Sequence, residues 1–159
     1  MNVGIIIWSA TGNTLLVAQI FKAALSAAGH MVTIEQIGIN SAEPARRTDP
    51  WNFTNQPDVT AYDALIFGSP VEAFSLSAVT LRFLQNLKTL SGKPFFSYVT
   101  QYFPKPWMGG TNAINQLKKL VEEQDGISCG SAVINWSSKK RVLQIETAKI
   151  NLVKDWSRE

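Results

Sequence analysis

The chain contains a single cysteine, Cys129, and a single histidine, His30. One thiol excludes an internal disulfide and an all-protein iron–sulfur site, and it suits a reducing compartment. Cys129 reads as a small buried residue on a strand. One imidazole excludes a histidine-based metal site, and no Ser-His-Asp triad can be assembled around it. In Gly29-His30-Met31 it follows a helix-ending glycine and precedes a new strand, which is a structural position. No apolar run reaches membrane-spanning length, and no charged segment leads into an apolar signal core, so no membrane span and a cytoplasmic location are expected. There is no repeat or low-complexity tract, no Gly-rich dinucleotide fingerprint and no nucleic-acid-binding motif. The 159 residues suffice for one domain, 1–159, with a sizeable core.

Charge is unevenly spread. Residues 1–80 hold three Lys/Arg against six Asp/Glu, a net of −3, and residues 81–159 hold twelve against six, a net of +6. The positive excess is therefore confined to the second half.

Apolar patterning alternates between strands and helices. Val3–Trp8 and Ala64–Phe67 are nearly continuous apolar runs, as strands buried on both faces require, and Val32–Glu35 alternates as an edge strand does. Pro94–Thr100 and Ile127–Trp136 complete five strands. Leu15–Ala28, Ala78–Leu90, Thr111–Gln124 and Val142–Trp156 carry apolar residues at helical spacing. Strands alternating with helices predict a parallel sheet covered on both faces. Gly38–Ala61, with Pro44, Pro50 and Pro57, breaks the rhythm and reads as a surface excursion, pinned to the domain by Trp51 and Phe53.

Between the first strand and the first helix lies Ser9-Ala10-Thr11-Gly12-Asn13-Thr14. A strand emptying into hydroxyls and one glycine, then into a helix, collects backbone N–H donors at the positive end of the helix dipole. Ser9, Thr11 and Thr14 add hydroxyls, and Gly12 lets the backbone curl. No lysine or arginine lies in the loop. Unlike a Walker loop, it is suited to a permanently held phosphate monoester rather than a transferring one.

Trp8–Thr14 resembles the FMN phosphate loop of the flavodoxins, whose pattern is Thr/Ser-x-Thr-Gly-Asn-Thr. The resemblance runs through nearly the whole chain. It implies a doubly wound α/β fold, a five-stranded parallel sheet of order 2-1-3-4-5, and a cofactor at the carboxyl ends of the strands, where the order switches. It also implies two further flavin loops.

The second loop is Gly68-Ser69-Pro70-Val71-Glu72-Ala73-Phe74, with Gly68 ending the strand and Pro70 fixing the backbone. Many flavodoxins place a glycine here whose peptide turns toward the reduced ring. This loop has none after Gly68, so a positive φ at Glu72 or Ala73 carries a cost and a one-electron radical is less favoured. The third loop, after the strand ending at Val99, holds Thr100, Gln101, Tyr102, Phe103, Trp107 and Gly109. Gln101 is offered to the pyrimidine edge of the flavin. Tyr102 or Phe103 is nearest the ring by family position, unless these aromatics simply pack on one another.

Lys139-Lys140-Arg141 reads as a solvated turn, or as a docking patch for an acidic partner or an anionic group on a substrate. Flavodoxins that act as soluble carriers are typically acidic, and the pI near 9.1 departs from them. Two functions follow from the resemblance: electron transfer with a redox partner protein, or FMN-dependent oxidation and reduction of a small acceptor such as a quinone. No catalytic residue is assigned.

Overall fold

A computed structural model of the chain describes residues 1–41 and 50–157. The elements are β1 (Asn2–Ile7), α1 (Asn13–Ala27), β2 (Met31–Gln36), β3 (Gly38–Ile39), β4 (Phe53–Asn55), β5 (Ala64–Glu72), β6 (Ser75–Leu76), α2 (Ala78–Gln85), β7 (Pro94–Gln101), α3 (Gly110–Glu123), β8 (Ile127–Asn135) and α4 (Arg141–Trp156). The order β2-β1-β5-β7-β8 is parallel throughout, which is the expected 2-1-3-4-5 order of the core strands. A short antiparallel strand, β6, is added to the carboxyl end of β5, so the sheet has six strands rather than five.

Both faces of the sheet are covered, because residues alternate between them along each buried strand. Ile5, Ile7, Ile66 and Tyr98 face one core with Phe21 of α1 and Leu152 of α4. Ile6, Leu65, Phe67 and Val99 face the other with Leu84 of α2 and Leu117 of α3. Among the described residues no helix stands between β2 and β5. There β3 and β4 form an antiparallel ribbon instead. Trp51 and Phe53 pack edge to face at 4.9 Å, and the Arg82 guanidinium lies over both rings while donating to the Trp51 carbonyl. They therefore tie the excursion to α2, as expected. Pro44, within the same excursion, lies outside the described residues.

Two boundaries differ from expectation. Helix α2 stops at Gln85, although Leu87 and Leu90 continue its apolar spacing. The Leu90 and Gly92 amides bond instead to the carbonyls of Gln124 and Asp125, so tertiary bonds replace the helical ones. Strand β5 runs on through Gly68 to Glu72. Gly68 does not end it, because Ser69 and Pro70 stay paired with Val99 and Thr100 of β7. On its other side β1 pairs only as far as Gly68, and proline, lacking an N–H, is tolerated where a strand has such a free edge. Among the described residues no helix is long and apolar enough to cross a membrane.

Candidate cofactor site

The switch in strand order falls between β1 and β5, and three loops meet above it. In the first, the Trp8 amide donates to the Gly68 carbonyl at 3.3 Å, holding the exit of β1 beside β5. Gly12 then takes a left-handed conformation, φ 92°, and its carbonyl accepts the first helical bond from Leu16. Ser9 braces the loop from within, its Oγ accepting from the Leu15 amide at 3.2 Å. The N-cap residue itself, Gly12, offers no side chain to the helix. Among the described residues, the backbone N–H groups of Ala10, Thr11, Gly12, Asn13 and Thr14 have no protein partner. Five free donors at the positive end of a fifteen-residue helix, with no carboxylate in the loop, suit an anion of high charge density.

Thr14 is buried and used inside the protein. Its Oγ1 hydrogen-bonds with Thr100 Oγ1 at 2.9 Å, and its carbonyl accepts from the Tyr98 hydroxyl at 2.7 Å. Burial pushes the Tyr98 phenol well above its ordinary pKa, so it remains a neutral donor. The Tyr98 ring reaches Thr14 across Gly68, where any Cβ would overlap it.

The second loop is a tight hairpin. Glu72 pairs with Ser75, leaving Ala73 and Phe74 as the two turn residues, with φ 48° and 60°. Positive φ at both positions is the type I′ geometry that matches strand twist. Ser69 points away from the opening, bonding Thr80 Oγ1 at 2.7 Å in the core.

In the third loop Gln101 is 4% exposed, and its amide nitrogen donates to Asn135 Oδ1 and to the Lys105 carbonyl. It locks β7 to β8 and folds the loop back, so that nitrogen is already engaged. Phe103 stacks on Phe74 with ring centroids 5.6 Å apart and planes 8° from parallel, joining the second and third loops. Gly109, φ 114°, starts α3 where a Cβ would stand 2.7 Å from Phe74 Cα. Only glycine lets the hairpin seat there.

These loops enclose a cleft of about 330 Å³, lined by Ala10, Thr11, Asn13, Pro70, Val71, Glu72, Thr100, Gln101 and Tyr102. Nine of the residues singled out in the sequence are brought together there. Ser9, Gly12 and Thr14 shape the first loop, while Ala73, Phe74, Phe103 and Gly109 build the wall beyond Tyr102. Ser69 lies in the core, and Trp107 is exposed outside the cleft. Sequence reasoning missed Tyr98 and Asn135 as supports. Their signal was present: a phenol and an amide in apolar strands each need a buried partner.

The fold is flavodoxin-like. A flavodoxin, WrbA-like protein from Agrobacterium tumefaciens superposes with a TM-score of 0.69 at 17% identity, covering 99% of this chain and 97% of that one. Two-electron reduced flavodoxin from Megasphaera elsdenii gives 0.67 at 22% identity, covering 96% and 98%. A flavoprotein in complex with FMN from Lactobacillus acidophilus gives 0.59 at 13%, covering 83% and 92%. No family sequence model and no curated protein matches the chain.

Proposed function

We propose that the protein binds FMN in this cleft and serves in cytoplasmic electron transfer. The observation that carries the reading is the set of five unpartnered N–H groups at the start of α1, opening into a cleft whose far side presents Tyr102. The phosphate takes the donors of Ala10–Thr14 together with the Thr11 hydroxyl. Pro70, Val71 and Glu72 bring the free edge of β5 along one side of the ring, and Tyr102, 74% exposed as it stands, gains a flat apolar partner. Bound FMN supplies reversible one- and two-electron transfer; the chain positions it and sets its surroundings.

The test is anaerobic reduction of the purified holoprotein followed by absorbance. Reduction only through a partner protein supports electron transfer between proteins. Rapid reduction by NADH or NADPH with turnover of a quinone would assign the protein instead to enzymes acting on small acceptors. Purification as a colourless protein with no affinity for added FMN would contradict the reading as a whole.

A further inference from the structure

Beyond the cleft, the same rim carries a second surface. Lys105, Lys139 and Lys140 line a groove of about 450 Å³ with Ser137, Ser138 and Pro106. All three lysines are exposed, and among the described residues none is ion-paired. Arg141 beside them stacks on Trp136 at 4.7 Å. Among the described residues, Glu72 is the one carboxylate on the loops at this end. Asp63, Glu122, Glu123 and Asp125 lie at the opposite end, before β5, in the last turn of α3 and between α3 and β8. Positive charge is therefore gathered beside the opening of the cleft, in the third loop and just ahead of α4.

Trp107 stands in the loop that forms one wall of this groove. It is 75% exposed and does not line the cleft. Its turn is braced: the Lys105 carbonyl accepts from the Met108 amide at 3.1 Å and from Gln101 Nε2, and the Pro106 carbonyl accepts from the Thr111 amide at 2.9 Å. An exposed indole on a braced turn, next in the chain to the Lys105 and Pro106 that line a groove of unpaired lysines, has the make-up of an interface anchor with a charged rim.

We propose that Trp107 with Lys105, Lys139 and Lys140 forms the docking surface for an acidic protein. Charge complementarity selects the partner's sign, and the indole requires an apolar patch that a small anion lacks. The inference deepens the electron-transfer reading by naming the partner's chemistry, but its contacts do not involve the flavin.

The test is amide and indole NMR of the ¹⁵N-labelled full chain, with and without FMN, titrated with an acidic plant-type [2Fe–2S] ferredoxin and with basic cytochrome c. Ferredoxin should shift the signals of Lys105, Trp107, Lys139 and Lys140 with or without FMN, which separates this proposal from failure of the cofactor reading. Affinity should fall about tenfold or more between roughly 20 and 200 mM salt. The triple variant K105E/K139E/K140E should lose binding, and W107A should weaken it about tenfold at each salt concentration, with the rest of the spectrum reporting an intact fold. Three results would overturn the proposal: rim signals unmoved by ferredoxin, cytochrome c binding the rim equally well, or inorganic phosphate below about 1 mM occupying the same lysines in ferredoxin's place.

Discussion

The Tyr98 hydroxyl on β7 donates a 2.7 Å hydrogen bond to the backbone carbonyl of Thr14, the second residue of α1. With the 2.9 Å contact between the hydroxyls of Thr14 and Thr100, this fastens the start of α1 to the strand that feeds the third loop. The unpartnered donors of the first loop and the aromatic wall are thus set by one buried connection.

Tyr98→Phe keeps the ring packed against Gly68 and removes only the hydroxyl. The Thr14 carbonyl retains its place in the helical ladder, so stability should fall by about 0.5–1.5 kcal/mol. Urea denaturation should show a lower midpoint at unchanged slope. FMN affinity should drop with it, because the first loop loses its anchor. Full stability with full affinity would mean the connection carries nothing.

The hairpin makes two opposed predictions. At Ala73, φ 48°, glycine relieves a left-handed alanine, so Ala73→Gly should stabilise the fold by about 1 kcal/mol. At Gly109, alanine adds a Cβ against Phe74 Cα at a φ of 114°, so Gly109→Ala should destabilise by at least about 2 kcal/mol. Thermal unfolding of both variants checks the pair. Opposite signs are required.

His30 gives a pH dependence. Its pKa is lowered from the ordinary 6.5, first by burial and then by the positive N-terminus, whose nitrogen is 3.1 Å from Nδ1. Folding therefore favours the neutral imidazole. Its contribution is complete above pH 6.5 and is lost as pH falls below it, where the unfolded chain takes up the proton first. His30→Gln should flatten the stability profile below that pH. An unchanged acid limb would show that the carboxylates alone set it.

The central strands were legible because buried parallel strands are continuous apolar runs, as in Val3–Ile7 and Ala64–Phe67, whereas their order followed only from the resemblance carried by the first loop. The carboxyl half of β5 was not. Gly68, Ser69 and Pro70 carry the marks of a turn, and only pairing with β7 keeps them extended. The first loop was recognisable from its residue types, but not how its hydroxyls divide. Ser9 and Thr14 turn inward to Leu15 and Thr100, while Thr11 faces the cleft. Among the third-loop aromatics, spacing could not separate Tyr102 from Phe103. That depended on Phe74, which arrives from the other loop and takes Phe103 as its stacking partner.

The central claim is that the donors of Ala10–Thr14 hold a phosphate monoester, and titrating apoprotein with FMN and with riboflavin tests it most directly. The two ligands share the ring and differ at the phosphate. Charge-assisted hydrogen bonds contribute about 1.5–3 kcal/mol each, so FMN should bind at least about a hundredfold more tightly than riboflavin. Thr11→Ala should reduce FMN affinity by about tenfold or more while leaving riboflavin unchanged. Equal affinity for the two ligands, or FMN binding indifferent to Thr11, would contradict the account.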